Sequence, residues 1–189
     1  MGEGPKQTPA RQRILDATAE LFAESTDGEV STRAICERAD VSAPTLYHHF
    51  GDKYGLLDAV VAHGFEQYLE TKRGTESSGN ALVDLANGWD VHVQFGLDHP
   101  AFYTLMYGHP QRRTPPAAAQ EARSRLIDLL QSAVDQGAIR SPADRAADIV
   151  LAANTGVTLA LIARSSSEID LSISTQLRDA VIASLTVGT

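Results

Sequence analysis

Residues 31–57 decide the fold, and they read STRAICERADVSAPTLYHHFGDKYGLL. Ser31 (or Thr32) and Ser42 are residue types that cap the N-termini of helices, and Gly51 is typical of a helix end. Apolar side chains follow each serine with helical spacing over about eight residues. The stretch therefore predicts two short helices joined by a tight turn, which is the arrangement of a helix-turn-helix.

The two faces of this predicted motif differ in chemistry. The inner, apolar face consists of Ile35, Val41, Leu46 and Phe50. The outer face of the second helix carries small or hydrogen-bonding side chains, and no Asp or Glu occurs between Asp40 and Asp52. A helix with such a face can enter the major groove of DNA and contact base edges. We therefore expect double-stranded DNA as a partner.

Helical periodicity continues on both sides of this stretch. One helix is predicted over 10–25, and another begins at Lys53, with Asp52 as its cap, and ends near Arg73. The polar segment 74–79 predicts a boundary between a domain at 1–73 and a second at 80–189. The remaining predicted helices cover 80–98, a short segment after Pro100, 117–136, 143–164 and 172–185. The chain is thus predicted to be all-α, with about nine helices.

The composition argues against several classes of protein. The 189 residues include one cysteine, so no intrachain disulfide can form, and no Cys/His spacing predicts a metal site. No signal peptide and no run of about 18 apolar residues is evident. We therefore expect a cytoplasmic protein that needs no membrane, metal or cofactor.

The charge limits where DNA could bind. The net charge is −8, and residues 1–73 contain eight Lys or Arg against twelve Asp or Glu. Nucleic-acid-binding proteins are usually basic, so the surface that contacts phosphate must be small and local. A small contact surface in each subunit predicts that binding requires a homodimer.

The signature V-S-x-x-T-L-Y-x-H-F-x-x-K-x-x-L-L is present without a gap at residues 41–57. This resembles the N-terminal domain of the tetracycline-repressor (TetR) family. The resemblance is specific over residues 10–65 and extends further by length and helix count only. It implies a three-helix DNA-binding module followed by a larger helical domain for effector binding and dimerisation. It also implies a repressor that a small-molecule effector releases from a palindromic operator.

The resemblance implies a role for each residue at a DNA-contacting position. Thr32, at a helix N-terminus, would bind a phosphate, and Arg33 would reach a guanine edge. Tyr47, His48 and Lys53 would bind phosphates. The full predicted set is Thr32, Arg33, Ala43, Pro44, Thr45, Tyr47, His48 and Lys53.

Three of these residues have plainer alternatives, which the sequence leaves open. Arg33 could be a solvated surface arginine, and Tyr47 could be a half-buried core tyrosine. Lys53 could be an exposed lysine at a helix start, although a lysine there opposes the helix dipole.

The second half of the chain carries a predicted pocket for a small apolar or amphipathic effector. Ligand sites combine an apolar cavity with a few polar groups, although each such residue alone is more often plain core. The candidate pocket residues are Trp89, His92, Val93, Phe102, Tyr103, Met106, Leu126, Leu130, Asn154 and Thr158.

The last two helices have long apolar faces, which two copies of the chain could pack into a four-helix dimer bundle. Ordinary packing within one chain is the alternative. The candidate interface residues are Ile149, Val150, Ala153, Val157, Leu161, Leu177, Val181, Ile182 and Leu185.

Two rival functions are also compatible with the sequence. His92, His99 and His109, with Asp90 and Asp98, could indicate acid–base or metal chemistry, but no nucleophile or phosphate-binding motif accompanies them. An effector-independent DNA-binding dimer or an activator, with no working pocket, would share the same helix-turn-helix. A cavity above roughly 300 Å³ in the second half would favour an effector sensor.

Overall fold

The computed structural model describes residues 9–25, 30–72, 77–107 and 116–186. Within these ranges the chain forms nine α-helices, a short 3₁₀ turn at Ser166–Glu168, and one isolated bridge between Ile139 and Thr186. The all-α prediction is therefore confirmed. The helices are α1 (Ala10–Glu24), α2 (Thr32–Ala39), α3 (Ala43–Phe50), α4 (Lys53–Lys72), α5 (Ala81–Asp98), α6 (Pro100–Tyr107), α7 (Ala117–Asp135), α8 (Ala143–Ile162) and α9 (Ser172–Leu185).

The first four helices share one hydrophobic core. Ile35 and Leu46 are fully buried in it, and Val41 and Phe50 pack against it from partly buried positions. These are the four residues of the predicted inner face. Ile14 and Leu15 of α1 supply the opposite side of this core.

The short helix α6 packs against α1 and α4 as well as against α5. Its Phe102, Leu105 and Met106 belong to the same buried cluster as the first four helices. The core of the N-terminal helices therefore continues beyond the predicted boundary at 74–79, of which residues 77–79 are described. The predicted N-terminal arm at 1–9 and the loop after α6 lie almost entirely outside the described residues.

A second core joins α5, α7, α8 and α9, with α8 in contact with the other three. By length and composition alone, α8 is a helix that could cross a membrane, although its contacts here are those of a core helix. The expectation that no membrane is involved stays a prediction.

Most predicted helix ends agree with the structure within two residues. The largest difference is at α8, which ends at Ile162 instead of Arg164, because the Arg164 N–H bonds to the Leu161 carbonyl in a tightened last turn. At α5, the Asn80 side chain accepts hydrogen bonds from the N–H groups of Leu82 and Val83, at 3.0 and 3.3 Å.

Candidate nucleic-acid interface and ligand cavity

Two serine caps fix where the helices of the helix-turn-helix begin. The Ser31 hydroxyl accepts a hydrogen bond from the Ala34 N–H at 3.1 Å, and the Ser42 hydroxyl accepts one from the Thr45 N–H at 3.4 Å. Pro44 lies in the first turn of α3, where a missing N–H leaves no bond unmade. The caps expected from the sequence are therefore present.

An arginine of α1 stabilises the turn between α2 and α3, and this contact was not predicted from the sequence. Asp40 has a φ of 52°, a left-handed conformation that ends α2. The Arg13 guanidinium of α1 donates to the carbonyls of Ala39 and Asp40, at 2.9 and 3.2 Å. Arg13 thereby ties the turn to α1 and orients α3.

The structure leaves the outer face of α3 exposed. Ala43, Pro44 and His48 are exposed, Tyr47 is 46% exposed, and Thr45 is partly exposed. Tyr47 is thus about half buried, and it is not one of the residues that form or pack against the core of the first four helices.

Two predicted contact residues are engaged within the chain. The Arg33 Nε donates to the Glu37 carboxylate at 2.8 Å, and this bond raises the pKa of Arg33. The hydroxyls of Thr45 and Ser42 lie 2.9 Å apart and share a hydrogen bond. Both side chains would exchange these partners on contact with DNA.

The end of α3 and the start of α4 form a close junction. The Asp52 carboxylate accepts a hydrogen bond from the Gly55 N–H at 2.8 Å, as expected of a cap. Lys53 begins α4 and is partly exposed, and the adjacent Tyr54, which the sequence did not single out, is 80% exposed. Thr32, at the start of α2, is also partly exposed.

A cavity of about 460 Å³ lies between α4, α5, α7 and α8. Apolar and aromatic side chains make up most of its wall, together with a few polar groups. The principal lining residues are Phe65, Tyr68, Leu69, Lys72, Leu85, Trp89, His92, Tyr107, Arg123, Leu126, Leu129, Val150, Leu151 and Asn154.

Four of the ten predicted pocket residues line this cavity, namely Trp89, His92, Leu126 and Asn154. The other six are buried elsewhere because their helix faces turn into the two cores. Met106 packs on Gly64, and the Phe102 ring lies 5.5 Å from the His63 ring. The six residues outside the cavity lining are Val93, Phe102, Tyr103, Met106, Leu130 and Thr158.

Helix α4 also contributes to the cavity wall, which was not predicted from the sequence. Phe65, Tyr68, Leu69 and Lys72 follow one another at i, i+3, i+4 and i+7, so they share one helix face. This face extends past the part of α4 that packs on the helix-turn-helix, and it ends in a lysine. The lysine at the end of this apolar stripe was the feature of the sequence that could have indicated a cavity at α4.

A buried hydrogen-bond network lies at one wall of the cavity. His92 bonds through Nδ1 to the Tyr68 hydroxyl at 3.0 Å and through Nε2 to the Tyr103 hydroxyl at 2.6 Å. Burial lowers the pKa of His92 to about 3, so the ring is neutral at physiological pH. Burial also raises the pKa of Tyr103 to about 12. Both ring nitrogens of His92 are therefore engaged in hydrogen bonds to tyrosine hydroxyls.

Three other buried polar side chains, those of Asn154, Thr158 and Ser174, form hydrogen bonds near the cavity wall. The Trp89 indole N–H donates to the Ser174 hydroxyl at 2.9 Å, which links α5 to α9. The Asn154 amide donates to the Trp89 carbonyl at 3.2 Å. Thr158 donates to the Asn154 carbonyl at 2.8 Å, within α8.

Five of the nine predicted interface residues face the core of their own chain. Val150, Val157, Leu161, Val181 and Leu185 are buried in the second core, and Val150 also lines the cavity. These five residues therefore pack within their own chain, which was the alternative to a dimer interface. Ile149 and Leu177 are exposed, and Ala153 and Ile182 are partly buried.

Two family models match this chain. One is described as bacterial regulatory proteins of the tetR family and matches residues 14–60, which contain α2 and α3. The other is described as a tetracyclin repressor-like C-terminal domain and matches residues 85–161, which run from α5 through most of α8. The chain belongs to the tetR family of bacterial regulatory proteins.

Two curated relatives each match half of this family member or less. The transcriptional regulator UidR of Escherichia coli (strain K12) is 41% identical over 94 residues, which cover 50% of this chain and 45% of UidR. The transcriptional repressor KstR of Rhodococcus jostii is 44% identical over 61 residues, covering 32% of this chain and 29% of KstR. The chain thus matches less than half the length of either relative.

Solved structures match the fold over nearly the whole chain. A tetR-family regulatory protein from Rhodococcus RHA1 superposes with a TM-score of 0.76 at 17% identity, covering 97% of this chain and 100% of that chain. GusR of Salmonella enterica superposes with a TM-score of 0.64 at 23% identity, covering 97% and 99%. At such identities the likeness concerns the fold alone.

Family membership also bears on the enzyme hypothesis. The tetR family consists of regulatory proteins. Of the two histidines of the rival set that the structure describes, His92 lines the cavity and is held by two tyrosines. His109 lies outside the described residues. The enzyme hypothesis has no remaining support.

Proposed function

We propose that this protein is a DNA-binding transcription regulator whose α3 enters the major groove of an operator. The observation that carries the proposal is the outer face of α3, which is exposed, free of acidic residues and held at a fixed angle by Arg13 and two serine caps. In this arrangement Ala43, Pro44 and Thr45 approach base edges.

The remaining predicted contacts bind the DNA backbone. Thr32 lies at the N-terminus of α2, where backbone N–H groups and the helix dipole attract a phosphate. Tyr47 and His48 are exposed on α3 and Lys53 is partly exposed at the start of α4, and these three residues bind further phosphates. Arg33 leaves Glu37 and binds a guanine edge.

We infer that the regulator is a homodimer, because a palindromic operator requires two α3 helices related by a two-fold axis. The exposed residues of α8 and α9 include a set of small and aliphatic side chains, which we call the α8–α9 face. It consists of Ile149, Ala152, Gly156, Ala160, Ile173, Leu177 and Ala180. This face replaces the buried residues in the proposed dimer interface.

We further propose that a small amphipathic effector binds in the 460 Å³ cavity and releases the protein from DNA. The cavity exceeds the roughly 300 Å³ that separates an effector sensor from an effector-independent dimer. Helix α4 begins at the DNA-binding motif and ends in the cavity wall, so an effector that prefers one position of α4 shifts the equilibrium between DNA-competent and DNA-incompetent conformers. The name of the relative KstR, a transcriptional repressor, favours repression over activation. We place the protein in the cytoplasm, together with the DNA it binds.

Selection of bound fragments from a random DNA pool tests the proposal. We expect enrichment of a two-fold-symmetric sequence whose half-site centres are about 10 base pairs, or a multiple of this, apart. Ala43→Glu adds an acid to the outer face of α3 at an exposed position, so this variant should fold normally and enrich nothing. Enrichment without symmetry, or equal enrichment by the variant, would contradict the proposal.

A further inference from the structure

The side chain of Lys72 ends in the cavity without a counter-charge. Its Nζ donates to the Gly88 carbonyl at 2.7 Å and lies 5.3 Å from the centre of the Tyr68 ring. Among the residues that the structure describes, no carboxylate forms an ion pair with Lys72. The ammonium is therefore held by one carbonyl and an aromatic face.

The other charged residues of the cavity wall already have partners. Arg123 donates to the Asp148 carboxylate at 2.8 Å, and Arg125 donates to Glu121 at 2.7 Å. Asp84 accepts hydrogen bonds from the Ser77 hydroxyl at 2.6 Å and from the Ser78 N–H at 2.9 Å. Lys72 differs from the two arginines, because its charge is satisfied only by uncharged groups. Asp84 is also held by uncharged groups, but it is an anion and offers no site for a carboxylate.

An ammonium in this position is costly to the free protein. Burial among apolar side chains removes water from the charge, and it lowers the pKa of Lys72 to about 8. At neutral pH most of these side chains still carry the charge. An anion that enters the cavity would restore the lost electrostatic stabilisation, whereas a neutral ligand would leave the ammonium more deeply buried.

The remainder of the cavity specifies what the anion must be attached to. Phe65, Tyr107 and Trp89 present aromatic surfaces, and several leucines complete the wall. With one unpaired cation in the described wall, the cavity matches one negative charge better than a multiply charged group such as a phosphate ester. The chemistry therefore favours an apolar body with a single acidic end.

We propose that the cavity binds an apolar small molecule carrying one carboxylate, and that Lys72 forms an ion pair with this carboxylate. The inference rests on the proposed effector site and adds the chemical class of the effector. Lys72 is the last residue of α4, so the carboxylate binds at the end of the helix that starts at the DNA-binding motif. This position gives the ligand a direct contact with the proposed connecting element.

The test uses probes that differ in charge and little in shape. Straight-chain and phenyl-substituted carboxylic acids of increasing length are compared with their primary amides, using the full-length protein without DNA. The single tryptophan, Trp89, lines the cavity, so its fluorescence reports binding and calorimetry gives the affinity. We expect the best acid to bind about tenfold or more tightly than its amide.

Two variants assign the preference to one side chain. Lys72→Met keeps the length of the side chain and removes the charge, and it should bring acid and amide to within about twofold. Arg145→Met, at an exposed arginine of α8 that does not line the cavity, should retain the preference for the acid. Thermal unfolding of both variants checks that each is folded. Equal binding of acid and amide by the wild type, failure of the whole probe series to bind, or an unchanged preference in Lys72→Met would overturn the inference.

A separate measurement distinguishes this inference from the proposed function. Operator affinity is measured with and without the best-binding acid. If the acid binds through Lys72 and operator affinity does not change, the effector proposal fails while the ligand class stands. If a neutral compound binds the cavity and releases DNA, the ligand class fails while the effector proposal stands.

Discussion

Arg33 is bound to Glu37 before any DNA is present. The two side chains are 88% and 66% exposed, so water screens their attraction and the pair is easily exchanged. Since they lie four residues apart on α2, the sequence allowed this pair to be predicted. It did not allow the prediction that Thr45 shares a hydrogen bond with Ser42, because a rotamer choice decides this.

Arg33 and Lys53 should affect DNA binding in different ways. We expect Arg33→Ala to reduce discrimination at one operator base pair by about tenfold or more, because a bidentate base contact is lost. We expect Lys53→Gln to weaken binding to all sequences alike and to lower the salt slope by about 1, because one phosphate contact is lost. Fluorescence anisotropy titrations with operator variants at several salt concentrations measure both effects.

Glu37→Gln is the control for this pair of variants, because it removes the partner of Arg33 and keeps the arginine. It should retain the base preference of the wild type. If Arg33→Ala changed the affinity for every sequence equally, the guanine contact would be ruled out.

His92 should make the protein sensitive to acid. Its pKa is about 3 in the folded state and 6.5 in the unfolded state, so between these values the unfolded chain binds a proton that the folded chain does not. The free energy of unfolding therefore falls as pH decreases below 6.5, by up to about 1.4 kcal/mol per pH unit from this group. Urea unfolding at pH 7, 6 and 5 measures this slope.

Two variants separate the titration of His92 from its hydrogen bonds. His92→Gln should show a shallower fall in stability between pH 7 and 5 than the wild type. Tyr68→Phe removes one hydrogen-bond partner, so it should lower stability at every pH, by about 1–3 kcal/mol, and keep the slope. An unchanged slope in His92→Gln would contradict the neutral, buried state of this histidine.

At the scale of elements, α4 connects the two candidate sites. Its 20 residues extend roughly 28 Å, from Lys53 beside α3 to Lys72 in the cavity wall. The start of α4 could be predicted from Asp52, which caps this helix. Its role in the cavity could not be predicted, because that depends on which distant helices pack against Phe65 and Tyr68. Sequence periodicity shows which residues share a helix face, but it does not show which other helix packs against that face.

The junction of α3 and α4 depends on Gly55. A Cβ at this position would lie 2.2 Å from the Phe50 carbonyl oxygen, and a backbone atom cannot move away easily. We expect Gly55→Ala to lower the free energy of unfolding by about 1–3 kcal/mol and to weaken operator binding by displacing α3. Thermal unfolding and operator titration measure these effects.

Gly156 provides the comparison for Gly55, because it also lies inside a helix. An added Cβ there has nothing within 4 Å in the protomer. In the isolated protomer Gly156→Ala should therefore raise the free energy of unfolding, by up to about 1 kcal/mol, through its higher helix propensity. In the dimer the added Cβ would lie in the α8–α9 face. Equal stability changes in the two variants would show that the close approach at Gly55 does not matter.

At the scale of the whole molecule, the all-helical fold was predictable, whereas the division of residues between core and surface was not. Val150 and Val157 of α8 face inward, while Ile149 on the same helix is exposed. The apolar residues of α8 nearly encircle the helix, so the sequence did not indicate which side packs within the chain. Likewise, α6 was predicted as a short helix after Pro100, but its packing on α1 depends on the path of the whole chain.

The α8–α9 face should hold the dimer together. Ile149 and Leu177 are each 36% exposed, and a charge at either position would be buried on dimerisation. We expect the double variant Ile149→Asp, Leu177→Asp to be monomeric in sedimentation analysis at micromolar concentration and to bind the operator poorly. Val83→Asp, at a 45% exposed position of α5, should remain dimeric. A dimeric double variant would place the interface on another surface.

Photocrosslinking detects whether the outer face of α3 touches DNA. A benzophenone amino acid is placed at Tyr47 in one protein and at Val83 in another, and each is irradiated with bound operator DNA. We expect a covalent protein–DNA product from position 47 and none from position 83. Operator binding without any crosslink from position 47, or with an equal crosslink from position 83, would show that α3 does not contact the operator in this way.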